Sequence, residues 1–114
     1  MPGKRDVGAK KRRRLFRELA ALAHRRELEQ ALGELEACFR AWRSGEIDAS
    51  ELSDRIHEFH DGAAREAWKR YQSLEPEMSV PVALARRVLK EEDVPPELLE
   101  QLRRVVEAYR GTGD

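Results

Sequence analysis

Six cations fall within eight consecutive positions near the N-terminus: Lys10, Lys11, Arg12, Arg13, Arg14 and Arg17. Side chains of this type at this density can displace counterions from a phosphate backbone or pair with a run of carboxylates. On a helix, Lys10, Arg13, Arg14, Arg17 and Arg25 fall on the side opposite Leu15, Phe16, Leu19, Leu22 and Ala23. The segment therefore reads as a basic amphipathic helix, with one face for an anionic partner and the other, carried by Leu15, Phe16, Leu19 and Leu22, for a partner helix. There is no helix-turn-helix pattern, zinc-finger spacing or set of RNP aromatics beside it, so contact with nucleic acid would be independent of base sequence. Two other uses share this geometry. The cations could be solubilising surface, or pair with the acidic body of a second subunit. Alternatively, the helix could lie on a membrane with Phe16 and the leucines among acyl chains, although the segment contains no Trp.

A second cluster lies at Asp54, His57, His60 and Asp61. Spacings of three and four put Asp54, His57 and Asp61 on one helix flank, where a His and Asp pair could ligate a divalent ion, with His60 displaced toward the apolar seam. The competing arrangement has His57 bonded to Asp54 or Asp61 at the surface, with His60 at the core boundary. A diiron-type bundle would need Glu-x-x-His motifs on two helices, and no helix here carries one. Cys38 shares a stripe with Leu35, Phe39 and Trp42, where a thiol acts as a small core residue. Ser44, Ser50 and Ser53 sit where hydroxyls cap helices. With no phosphate-cradling glycine loop or nucleophile elbow, the sequence offers no catalytic constellation, calls for no cofactor and indicates no small-molecule substrate. Trp42, Trp68 and Tyr71 read as core or interface anchors. Trp68 falls on the His57 and Asp61 flank, where exposure would mark a binding surface.

The elements that must position these residues follow from composition and periodicity. A chain of 114 residues is one domain, and with 40% hydrophobic and 39% charged residues, few glycines and prolines and abundant Ala, Leu, Glu and Arg, it is expected to be all-α. Residues 1–9 lack the apolar content to order and are expected to form a mobile basic arm. From Lys10 to Arg43 the pattern predicts one long helix or two nearly collinear ones. Its apolar stripe changes sides near His24–Glu27, from Leu15, Phe16, Leu19, Leu22 and Ala23 to Leu28, Ala31, Leu32, Leu35, Cys38, Phe39 and Trp42. A straight helix cannot bury both stripes against one small body. Hence either the chain breaks near Arg25–Arg26 or the first stripe docks on another chain, which points to a homodimer.

Gly45 suits the left-handed position after a C-cap. Asp48 and Glu51 then form a capping box that starts a second helix at Ala49. Its seam of Leu52, Ile56, Phe59, Ala63, Ala67, Arg70, Tyr71 and Leu74 carries it to about Leu74, with Gly62 marking a kink or a close crossing. The expected result is a long antiparallel hairpin closed by two shorter helices in a bundle-like, four-helix domain over residues 10–110. The shorter helices are predicted from about Val80 to Glu91, capped by Ser79, and from about Pro96 to Arg110. A frayed tail over residues 111–114 follows.

The net charge of zero is unevenly spread: residues 1–26 hold ten Lys or Arg against Asp6 and Glu18, a balance of +8 that leaves −8 for the rest. A lone Cys38, the lack of a long apolar run and the lack of a leader-like N-terminus fit a cytoplasmic protein without a transmembrane segment. Taken together, these features suggest a non-enzymatic interaction or regulatory protein whose basic helix contacts nucleic acid or an acidic protein. The alternatives are a divalent-metal protein built on His57, Asp54 and Asp61, or a purely structural homo-oligomeric module.

Overall fold

The computed structural model describes residues 2–112, and the side chains of residues 8–111. Among these the chain is all-α: α1 (Pro2–Arg43), α2 (Ala49–Glu58), a π turn (Phe59–Ala64), α3 (Arg65–Ser73), α4 (Pro76–Ala85), a 3₁₀ turn (Glu91–Asp93) and α5 (Pro96–Thr112). The molecule measures 66 × 33 × 24 Å. At about 1.5 Å per residue, the 42-residue α1 accounts for the long dimension. The radius of gyration of 18.3 Å exceeds the roughly 13 Å of a compact chain of this length.

α1 runs unbroken through Arg25–Arg26; its first stripe is covered within the chain and its second in part, Leu32 and Trp42 remaining exposed. Phe16, Leu19, Ala20 and Ala23 are buried with Val80, Ala83 and Leu84 of α4, Leu89 and Val94 of the following joint, and Leu98, Leu102 and Val106 of α5. Leu15 and Leu22 pack at the margin of the same cluster. The face assigned from sequence to a partner helix, Leu15, Phe16, Leu19 and Leu22, is therefore occupied by this chain's own α4 and α5. The physical reason is that a 42-residue helix is long enough to serve two bodies on opposite sides. The split stripe thus gives no ground for a second chain. The second stripe faces α2, the π turn and α3, where Ala31 is buried and Leu35, Cys38 and Phe39 are half-buried.

The joints follow local chemistry. Gly45 takes φ 82°. Its N–H donates to the carbonyl of Trp42, and Glu46 N–H donates to that of Ala41, the paired bonds of a Schellman closure. Asp48 caps α2 by accepting from Glu51 N–H at 2.8 Å. The expected return bond is replaced by an approach of the Glu51 carboxylate to Arg55, at 3.6 Å. The helix begun at Ala49 does continue to Ser73, but through six residues of π turn. Gly62 sits in that turn, and a Cβ added there would meet nothing within 4 Å, so it marks no close crossing.

α4 starts at Pro76, earlier than expected. Pro76 lacks the N–H that the first helical position leaves unbonded, and it holds Glu75 extended. Ser79 is consequently inside the helix and buried, not at its cap. α4 ends at Ala85, short of the expected Glu91, while α5 begins at Pro96 as the sequence indicates. α1 extends upstream of Lys10. The arm expected over residues 1–9 and the tail over 111–114 otherwise fall largely on residues whose side chains lie outside those described.

Candidate functional site

The burial of Phe16, Leu19, Ala20 and Ala23 fixes the rotation of α1, and this turns Lys10, Arg13, Arg14 and Arg17 to solvent. Their i, i+3, i+4, i+7 spacing makes one row about 10 Å long. With Lys11 at its edge, the row borders a single open concavity. Among the described residues none of these five forms an ion pair. Arg25, Arg26, Arg40, Arg55, Arg70, Arg86, Lys90 and Arg103 each lie beside a carboxylate, whereas Arg43, Arg65, Lys69, Arg87, Arg104 and Arg110 form no ion pair among the described residues but are dispersed over the surface instead of gathered in a row.

The row occupies the same side of α1 as Leu28, Ala31 and Leu35 farther along. Downstream, α2 and α3 cover that side. α3 ends at Ser73, with Tyr71 stacked on His24 at 5.3 Å, and upstream of His24 the row is exposed.

Arg12 stands apart from the five. Its Nη1 donates to Gln101 Oε1 at 2.6 Å, and its guanidinium lies 5.1 Å from the centroid of the Phe16 ring. Arg12 is thus a strut from α1 to α5. Its position four residues before Phe16, on the buried side of the helix, is a sequence signal that could have separated it from its neighbours.

The proposed metal flank does not assemble. Asp54, His57, His60 and Asp61 are all exposed, and among the described residues no group of three His, Cys, Asp or Glu side chains is placed to hold an ion. The π turn begins at Phe59. Its hydrogen bonds span five residues instead of four, so the wider turn takes Asp61 out of the α-helical register with His57. With Nδ1 protonated, His57 donates to the Ser53 carbonyl at 2.9 Å. His60 and Asp61 instead edge a groove of ≈ 460 Å³ with His24 and Arg65, walled by Leu28, Ala64 and Trp68. Trp68 is 57% exposed, the condition under which the sequence marks it as binding surface.

Sequence reasoning missed the ionic ties around the middle of α1. Arg26 donates to both carboxylate oxygens of Asp93, at 2.7 and 3.0 Å, and to the Val88 carbonyl at 3.0 Å. That bidentate bond, aided by the Lys90 N–H, holds the Asp93 carboxyl down at about 2 despite its partial burial. Glu27 accepts from Arg70 at 2.8 Å and lies 3.4 Å from Arg86. Burial, reinforced by the nearby Glu27 carboxylate, pushes the Tyr71 hydroxyl up. Arg26 and Glu27 fall where the apolar stripe changes sides, a place where charged residues must be paired if the helix is covered on both flanks.

No protein-family model, curated protein or solved structure matches the chain. Among the described residues no helix is long and apolar enough to cross a membrane.

Proposed function

We propose that this protein is a non-enzymatic binding module whose α1 engages the phosphate backbone of nucleic acid through Lys10, Lys11, Arg13, Arg14 and Arg17. The observation that carries the reading is that these five exposed cations, which form no ion pair among the described residues, lie together within two turns of one anchored helix and border a single open concavity. A cation row on a rigid helix anchored by a buried face has already met the cost of ordering its backbone. Its charge is then available to release counterions. With no group positioned to read base edges, the contact is indifferent to sequence. Arg12 is not a member of the binding set, because its guanidinium is held on Phe16 and Gln101.

The test is fluorescence anisotropy of labelled duplex and single-stranded probes over a salt series. The expected result is a dissociation constant of roughly 10⁻⁴ to 10⁻⁶ M near physiological salt, with a log–log salt slope between about −3 and −4.5 on duplex. A flat isotherm at low salt overturns the nucleic-acid reading. If a poly-glutamate probe binds while both nucleic acids do not, the partner is an acidic protein. If solution mass rises only with the protein's own concentration at low salt, the row serves self-assembly.

A further inference from the structure

Two helices in this molecule end in the same way with different residues. At the end of α4 the Arg87 N–H donates to the Leu84 carbonyl at 3.1 Å and the Val88 N–H to the Ala83 carbonyl at 2.9 Å, repeating the closure that ends α1. The left-handed residue after α1 is Gly45, whereas after α4 it is Arg87, at φ 63°. Glycine adopts this conformation without a Cβ clash and arginine does not. The backbone of the joint therefore gives no reason for an arginine at this position, but the surroundings of its side chain do.

Arg87 borders a cavity of ≈ 460 Å³ between α4, the joint that follows it, and α5. The floor is aliphatic, with Leu84, Leu89 and Val106 buried and Leu99 half-buried. The rim carries four cations, Arg87, Lys90, Arg103 and Arg110, against the carboxylates Glu91 and Glu107. Arg103 is already committed to Glu91 at 2.7 Å and Lys90 lies 4.0 Å from Glu92, whereas Arg87 and Arg110 form no ion pair among the described residues. A cavity of this size with an apolar floor and a few convergent charges has the make-up of a small-ligand site. The excess of cations selects an anion, and the leucine floor selects a hydrocarbon body.

We propose that this cavity binds a small amphipathic anion, a carboxylate on a medium-length aliphatic chain, with the headgroup paired to Arg87 and Arg110 and the chain on Leu84, Leu89, Leu99 and Val106. This site is separate from the cation row of α1 and does not depend on that reading.

The test is a titration of the full chain with decanoate below its micelle concentration, followed by methyl NMR and calorimetry, with methyl decanoate and inorganic phosphate as comparators. Shifts are expected in the methyls of Leu84, Leu89, Leu99 and Val106, with the acid bound at least tenfold more tightly than its ester. Arg87→Gly is expected to weaken binding about tenfold while leaving the melting temperature unchanged or raised, since glycine suits the joint. Loss of affinity in that variant therefore reports the guanidinium and not unfolding. Arg110→Gln is expected to act in the same direction, and Lys69→Gln, on the exposed side of α3, to leave decanoate binding unchanged. Absence of methyl shifts up to millimolar decanoate, equal affinity for acid and ester, or undiminished binding in the double variant Arg87→Gly with Arg110→Gln would each overturn the proposal. Inorganic phosphate binding as tightly as decanoate would remove the aliphatic half of it.

Discussion

The two halves of α1 are built from the same residue types and end up with opposite kinds of surface. Upstream of His24 the apolar face is buried in a core shared with α4 and α5, and five exposed cations form no ion pair among the described residues. Downstream the apolar face is only half-buried against α2 and α3, while Arg25 pairs with Glu29 and Arg40 with Glu36 on the helix's own surface. Unneutralised charge and burial therefore rise together along one helix. The well-packed half carries the unneutralised row, and the loosely packed half pairs most of its cations with carboxylates. A half that needs no help from its charges to stay folded is free to use them on something else.

The contrast can be broken most severely at Phe16, which is 2% exposed. Phe16→Ala should cost about 3–5 kcal/mol, whereas Phe39→Ala, at a half-buried position downstream, should cost well under that. Urea midpoints of the two variants compare the halves directly, and equal losses would mean that packing does not differ between them. Next in size is conversion of Lys10, Lys11, Arg13, Arg14 and Arg17 to Gln. Binding to duplex should fall by more than a hundredfold at low salt with the thermal midpoint essentially unchanged. A large loss of stability in that variant would show the row to be structural.

Asp93 sharpens the comparison through pH. Its carboxyl is held at about 2 from an ordinary 3.8, so the folded state binds the proton less readily than the unfolded chain. The resulting stabilisation is complete above about pH 4 and is lost as pH falls toward 2. Allowing for solvent around the partly exposed Arg26, it amounts to roughly 1–2 kcal/mol. Asp93→Asn should remove this part of the acid sensitivity, as read by denaturation at pH 5 and pH 2.5. The smallest effect is expected at Arg12. Because it props α1 on α5, Arg12→Gln should lower stability by about 0.5–1 kcal/mol and leave the salt slope of nucleic-acid binding unaltered. A slope shallower by about one would return Arg12 to the binding set.

Most of the architecture was legible because it is written in local signals. Gly45, Asp48, Pro76 and Pro96 each act through their own backbone or one nearby bond, and each marks a boundary where it was read or within a few residues of it. What the periodicity could not provide was the identity of the covering element. Leu15, Phe16, Leu19 and Leu22 declare only that something covers them, and a helix that returns after more than fifty residues leaves the same pattern as a second chain. At the flank of Asp54, His57 and Asp61 the reading was limited for a different reason. Helical spacing arguments assume a constant turn, and the π turn at Phe59–Ala64 breaks that assumption without a distinctive sequence mark. The partners of Arg26 and Glu27 were beyond reach because ion pairs between residues more than forty positions apart depend on tertiary geometry alone.

A helix gripped on opposite sides at its two ends behaves like an axle keyed to two wheels. One residue inserted between Arg25 and Arg26 would rotate one half by about 100° against the other, and either α4 with α5 or α2 with α3 would lose its seat. Seven inserted residues, close to two full turns, would restore the angle and only lengthen the shaft by roughly 10 Å. The spacing between the two ends of this molecule is thus free to change only in steps of whole turns.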